Sequence, residues 1–134
     1  MTGWSSIPRR ICVIVLSTLA CACSISTVCT LIGCESGITV HLASLPTAPF
    51  RIDVRPAGGQ GASYVFDCGS APATCQQDIF FADLIADHLF ITVTVAGSSR
   101  DTEITTVIYT SHRPNGPNCA PDCRTAVVTA LVPG

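Results

Sequence analysis

From residue 38 onward, apolar residues recur at alternate positions, and the types that recur are mainly β-branched or aromatic. A period of two sends successive side chains to opposite faces of an extended chain, the pattern of strands that bury one face. Seven runs carry it, at residues 38–43, 50–55, 63–68, 78–81, 89–96, 103–111 and 124–132. Turn chemistry separates them: Pro46 and Pro49, Gly58-Gly59-Gln60-Gly61, the stretch from Gly69 to Pro72, and Pro114-Asn115-Gly116-Pro117. In the fifth run Leu89, Ile91, Val93 and Val95 face one way, while Phe90, Thr92, Thr94 and Ala96 face the other. That run reads as a central strand with its first set in the core. The next run, joined through residues 96–102, is expected to pair with it as a hairpin, and residues 83–87 to form one helical turn.

The chain before residue 34 has a different pattern. Met1 to Arg10 ends in two arginines, and the 23 residues from Ile11 to Gly33 carry no charge. A short basic start followed by an apolar run is the layout of an export signal, expected as a hydrophobic helix in residues 1–33. The domain proper then spans residues 34–134. About 100 residues remove roughly 65% of their unfolded surface from water, enough for one core with little margin. The expected fold is all-β: one small antiparallel β-sandwich of about seven strands.

Leu31-Ile32-Gly33-Cys34, where the apolar run gives way to Glu35-Ser36-Gly37, resembles the lipobox of bacterial lipoprotein precursors. The resemblance implies that Gly33 is the last residue removed and that Cys34 carries the lipid. It further implies an exported protein, anchored on the outer face of a bacterial membrane, in the periplasm or at the cell surface. Ala20-Cys21-Ala22 offers an ordinary cleavage site instead, and an uncleaved anchor is a third course. The strand count resembles an immunoglobulin-like or fibronectin-like sandwich in outline. The inter-sheet cysteine pair and core tryptophan of antibody domains are missing, since the single tryptophan is Trp4.

Charge narrows the partners. After residue 33, five scattered arginines stand against nine acids, a balance of −4. Without a basic stripe to neutralise phosphates, nucleic acid is not expected as a partner. The expected partners are the membrane, through the anchor, and another envelope protein.

Cys68, Cys75, Cys119 and Cys123 follow the export signal and are expected to form two disulfides. Local pairing, Cys68 with Cys75 and Cys119 with Cys123, stabilises by roughly 2–2.5 kcal/mol per bridge; cross pairing would close longer loops and contribute about 4 kcal/mol. The spacings do not fit a zinc knuckle or a Cys-x-x-Cys redox motif.

No catalytic motif stands out: Gly61-Ala-Ser63-Tyr-Val65 fails the nucleophile elbow at its last position, and His41, His88 and His112 are far apart in sequence. Asp78, Asp83 and Asp87 do not follow a calcium-loop spacing, and the glycines at 58–61 do not lead into a helix as a phosphate cradle requires. No metal and no cofactor is therefore expected. The most unusual segment runs from Arg113 to Arg124, where three prolines and a disulfide would rigidify a connection between two strands. Rigid loops on a sandwich are where binding surfaces tend to lie, which makes Arg113, Asn115, Asp122 and Arg124 candidate binding residues. The expected function is a non-enzymatic structural or protein-binding module of the bacterial envelope, the alternative being a small ligand-binding or metal-binding protein or hydrolase.

Overall fold

Leu89, Ile91 and Val93 are fully buried, and Phe90 on the opposite face of the same strand is exposed, as the alternation requires. The computed structural model describes residues 29–58, 61–69 and 75–134. The basic start of the chain and the apolar run as far as residue 28, with the expected signal helix, lie outside the described residues. Eight strands occur among those described: β1 (Gly37–Leu42), β2 (Phe50–Pro56), β3 (Tyr64–Cys68), β4 (Asp78–Ala82), β5 (Leu89–Val95), β6 (Ser98–Ile104), β7 (Thr110–His112) and β8 (Cys123–Ala130). They form two four-stranded sheets, ordered β4-β1-β8-β7 and β3-β2-β5-β6.

The core lies between the sheets. Ile38, Val40 and Leu42 of β1 and Ala126, Val128 and Ala130 of β8 face Ile52, Val54, Leu89, Ile91 and Val93 of the other sheet. Among the described residues no buried side-chain nitrogen or oxygen lacks a hydrogen-bond partner.

The strand order departs from the immunoglobulin outline. There the second and third strands lie in opposite sheets, whereas here β2 and β3 pair antiparallel in one sheet. The sandwich is also not wholly antiparallel, because β1 and β8 run parallel, Gly37 opposite Thr125 and Leu42 opposite Ala130. This pairing joins the two ends of the described chain and brings the residues before β1 beside the residues before β8.

Two local expectations are corrected. The run 103–111 is not one strand: residues 103 and 104 end β6, the chain crosses between sheets, and β7 begins at Thr110. Residues 83–87 form no helical turn; Asp83 takes a φ of 60°, and Leu84 inserts into the core. The hairpin between β5 and β6 turns on Ala96 and Gly97 alone, with φ of 47° and 87°. Two consecutive positive φ values identify the primed turn that matches strand twist. The loop is therefore shorter than the 96–102 connection suggested by sequence.

The parallel register defines two ends of the sandwich. One end gathers the segment before β1, the crossings at 83–88 and 105–109, and the loop 113–122. The other gathers residues 43–49, the Ala96-Gly97 turn, Gly69 and the last residues of the chain.

Candidate functional site

The four candidate binding residues fall at the first of these ends, and each is engaged within the chain. Cys29 is bonded to Cys119 and Cys34 to Cys123, so the segment before β1 is stapled twice to the loop before β8. The third disulfide is Cys68–Cys75. The local bridge expected at Cys68 and Cys75 is present, and all four expected cysteines are disulfide-bonded. Cys119 and Cys123 are not joined to each other, because the parallel β1–β8 pairing presents Cys34 to Cys123. The expected lipid site thus has its sulfur in a disulfide, and one sulfur cannot carry both that bond and a thioether to lipid.

Asn115 ties the segment before β1, residues 29–36 and hereafter the strap, to the loop. Its Oδ1 accepts from Thr30 Oγ1 at 2.5 Å and from the Ile32 N–H at 3.1 Å. Its Nδ2 donates to the Ile32 carbonyl at 2.9 Å and to the Ala120 carbonyl at 2.6 Å. The Ala120–Pro121 peptide beside it is cis. Arg113 closes the base of the loop: Nε and Nη2 donate to Asp122 Oδ2 at 3.0 and 2.6 Å, and Nη1 donates to the Pro117 carbonyl at 2.8 Å. The hydrogen bond from Arg113 to Asp122, reinforced by their charge attraction, raises the guanidinium pKa above its ordinary value. Arg124 lies over the Tyr109 ring, 4.6 Å from its centroid, and its backbone N–H donates to Ser36 Oγ at 3.0 Å. Tyr109 Oη in turn accepts from the Ala86 N–H at 2.8 Å and donates to the Ala86 carbonyl at 2.9 Å. Strap, loop and both crossings are therefore one hydrogen-bonded unit.

The remaining candidates are dispersed. His41 Nδ1 donates to Asp78 Oδ1 at 2.7 Å, but its Nε2 faces the Gln77 amide nitrogen at 3.4 Å, and that same amide donates to the Leu42 carbonyl at 2.6 Å. His88 Nε2 donates to Glu103 Oε1 at 2.8 Å on the outer face of the other sheet, its ring 5.0 Å from that of Phe90. His112 is exposed on β7. Asp78 begins β4 and Asp83 follows its last residue, so the acids of the 78–87 stretch are split between the two ends. Among the described residues no group of three or more metal-ligating side chains comes together. The surface depressions are open, among them one of about 560 Å³ beside Arg55, Ser63 and Phe90 and one of about 350 Å³ lined by Leu45, Pro46, Val132 and Pro133. Of the expected glycine loop, Gly59 and Gln60 lie outside the described residues.

Sequence reasoning missed Cys29, Thr30, Ile32 and Ser36, because all but Ser36 lie inside the apolar run assigned to the signal. Cysteine spacing was the available signal: among the six cysteines from Cys29 onward, Cys29 and Cys34 are spaced much as Cys119 and Cys123 are.

No protein-family model, curated protein or solved structure matches the chain.

Proposed function

We propose that this protein is an exported, membrane-held structural or protein-binding module of the bacterial envelope, without an enzymatic role. The observation that carries the reading is that all six cysteines from Cys29 onward are paired in three disulfides. Such bridges persist in oxidising compartments and are uncommon where cytosolic thiol systems operate. The basic, uncharged-apolar start of the chain supports the same address.

Two anchors are open to such a module: a lipid on Cys34, as the lipobox resemblance implies, or the apolar segment itself. The Cys34–Cys123 bridge favours the second. With the chain from Cys29 onward retained, 18 uncharged residues, Ile11 to Val28, remain ahead of the strap. As a helix they would extend about 27 Å, close to the ~30 Å hydrocarbon layer. Arg9 and Arg10 on its N-terminal side favour an orientation with the sandwich outside. The alternative of a hydrolase rests on His41 and Asp78, where Gln77 occupies the ring nitrogen that a nucleophile would need.

Intact mass spectrometry of the protein extracted from bacterial membranes, with and without reduction, tests the reading. The expected species keeps Cys29 and gains two hydrogens for each of three disulfides. A lipid-bearing species beginning at Cys34 would restore the lipobox anchor and leave Cys119 and Cys123 to pair with each other. Free thiols throughout in the native host would overturn the exported assignment.

A further inference from the structure

We propose that the stapled end of the sandwich is the face laid against the membrane, with Leu31, Ile32, Ile85 and Ile108 set into the lipid interface. This rests on the membrane-held reading above: Ile85 and Ile108 belong to the face with either anchor, whereas Leu31 and Ile32 belong to it where the chain before Cys34 is retained, since cleavage after Gly33 would remove them. The apolar segment meets the sandwich at Cys29 and the lipobox residue is Cys34, and both lie at this end.

These four aliphatic side chains are 102%, 55%, 42% and 83% exposed, respectively. They come from three separate segments that the hydrogen bonds already described hold together. Ser36 accepts from the Asp83 N–H at 2.9 Å, and Asp87 accepts from the Val107 N–H at 2.9 Å, so the strap, the 83–88 crossing and the 105–109 crossing are neighbours. Exposed aliphatics on scattered positions need no explanation. Here they share the end at which the 18-residue uncharged run meets the sandwich, and a tether raises the effective concentration of that end at the bilayer.

Charge at this end is mixed: Glu35, Asp83, Asp87 and Asp122 against Arg113 and Arg124, with Arg113 paired to Asp122. It offers no net attraction to anionic headgroups, so the contact is apolar and tether-driven and is expected to resist salt. The opposite end, with the Ala96-Gly97 turn and residues 43–49, then points away from the bilayer.

The test uses the full chain in a Trp4→Phe background, extracted from bacterial membranes and reconstituted into phosphatidylcholine vesicles with or without brominated acyl chains. Single tryptophans are placed at Ile108→Trp, Ile85→Trp or, at the opposite end, Leu45→Trp, and each variant is checked for its three disulfides. With side chains set about 5–10 Å into the headgroup–acyl boundary, Ile108→Trp and Ile85→Trp are expected to lose roughly half their emission to brominated lipid. Leu45→Trp is expected to lose little, and high salt should change neither result. Flotation of the protein with vesicles reads the anchor separately. Protein that floats while Ile108→Trp and Ile85→Trp go unquenched, or are quenched no more than Leu45→Trp, overturns the proposed face and leaves the anchor standing. A tryptophan at 108 already blue-shifted without lipid would point to a protein surface there and also overturn it. Protein that does not float defeats the anchored reading and this proposal with it.

Discussion

Asn115 and Ile32 are joined as two strand residues would be: the amide oxygen accepts the Ile32 N–H at 3.1 Å while the amide nitrogen donates to the Ile32 carbonyl at 2.9 Å. One side chain thereby satisfies both backbone groups of a residue that belongs to no strand. The same amide also bonds Thr30 and Ala120, which makes it the polar counterpart of the two disulfides.

Asn115→Ala removes all four bonds. Because the site is exposed and water can replace some of them, the expected loss is about 1–2 kcal/mol, toward the low end of the usual range per bond. Denaturant unfolding of oxidised protein measures it. A larger effect is expected after Cys29 and Cys34 are released by reduction, seen as protease cutting within residues 29–36. An unchanged midpoint and cutting pattern would mean that the disulfides alone position the strap.

The two long-range bridges should be non-additive by about 1–2 kcal/mol. Their sequence separations are 90 and 89 residues. Either one closes nearly the whole domain into a loop, and the second then closes only the small ring formed by residues 29–34 and 119–123. Loop-closure entropy gives about 3 kcal/mol for removing either pair alone (Cys29→Ala with Cys119→Ala, or Cys34→Ala with Cys123→Ala) but about 7 kcal/mol for removing both. Removing Cys68 and Cys75 together should cost about 2.5 kcal/mol in any background. Denaturant midpoints of the three paired variants and the quadruple variant measure the coupling. Simple additivity of the two long-range pairs would show that the strap is not docked when one bridge is absent.

These bridges mark where sequence reading stops. The alternation in Leu89 to Val95 was legible because β5 is flanked by strands and buries one face. β6 was misplaced because Ser98 to Glu103 lie on a sheet edge, where most of the side chains are exposed. An edge strand with two wet faces carries no hydrophobic period. The run from Glu103 to Ser111 read as one strand because Ile104, Val107 and Tyr109 are all partly or fully buried, though they lie on a crossing between two sheets. The cysteine partners depended on β1 and β8 lying side by side, a contact between residues some 88 positions apart that no local spacing encodes. Arg113, Asn115, Asp122 and Arg124 lie in the segment whose prolines and cysteines stand out in the sequence, but the polar atoms of Arg113, Asn115 and Asp122 bond within the chain, a direction that no local pattern encodes.

Tyr109 carries the crossing at 83–88. Its hydroxyl serves both backbone groups of Ala86, and its ring is packed against the core and beneath Arg124. Tyr109→Phe keeps the ring and leaves both Ala86 groups without that partner in a half-buried setting, so a cost of about 1–2 kcal/mol is expected. Hydrogen exchange at the Ala86 amide should accelerate, while amides in β5 keep their protection. Equal acceleration in β5 would instead mean that the hydroxyl stabilises the whole sandwich and not this crossing.

At Ala96 a single substitution should add stability. The β5–β6 turn requires positive φ at both central residues, and Ala96 adopts 47° beside Gly97 at 87°. A methyl group makes that conformation unfavourable, whereas asparagine tolerates it, and Asn-Gly is the preferred pair for a two-residue turn of this kind. Neither the Ala96 nor the Gly97 position is buried, so the larger side chain meets no core. Ala96→Asn is therefore expected to raise stability by about 0.5–1 kcal/mol. Ala96→Val, which adds a β-branched side chain at the same φ, should lower stability by at least as much. The two variants compared by thermal or denaturant unfolding give opposite signs if the turn is as described. A loss in both would mean that the hairpin closes through a longer loop, the arrangement suggested by sequence alone.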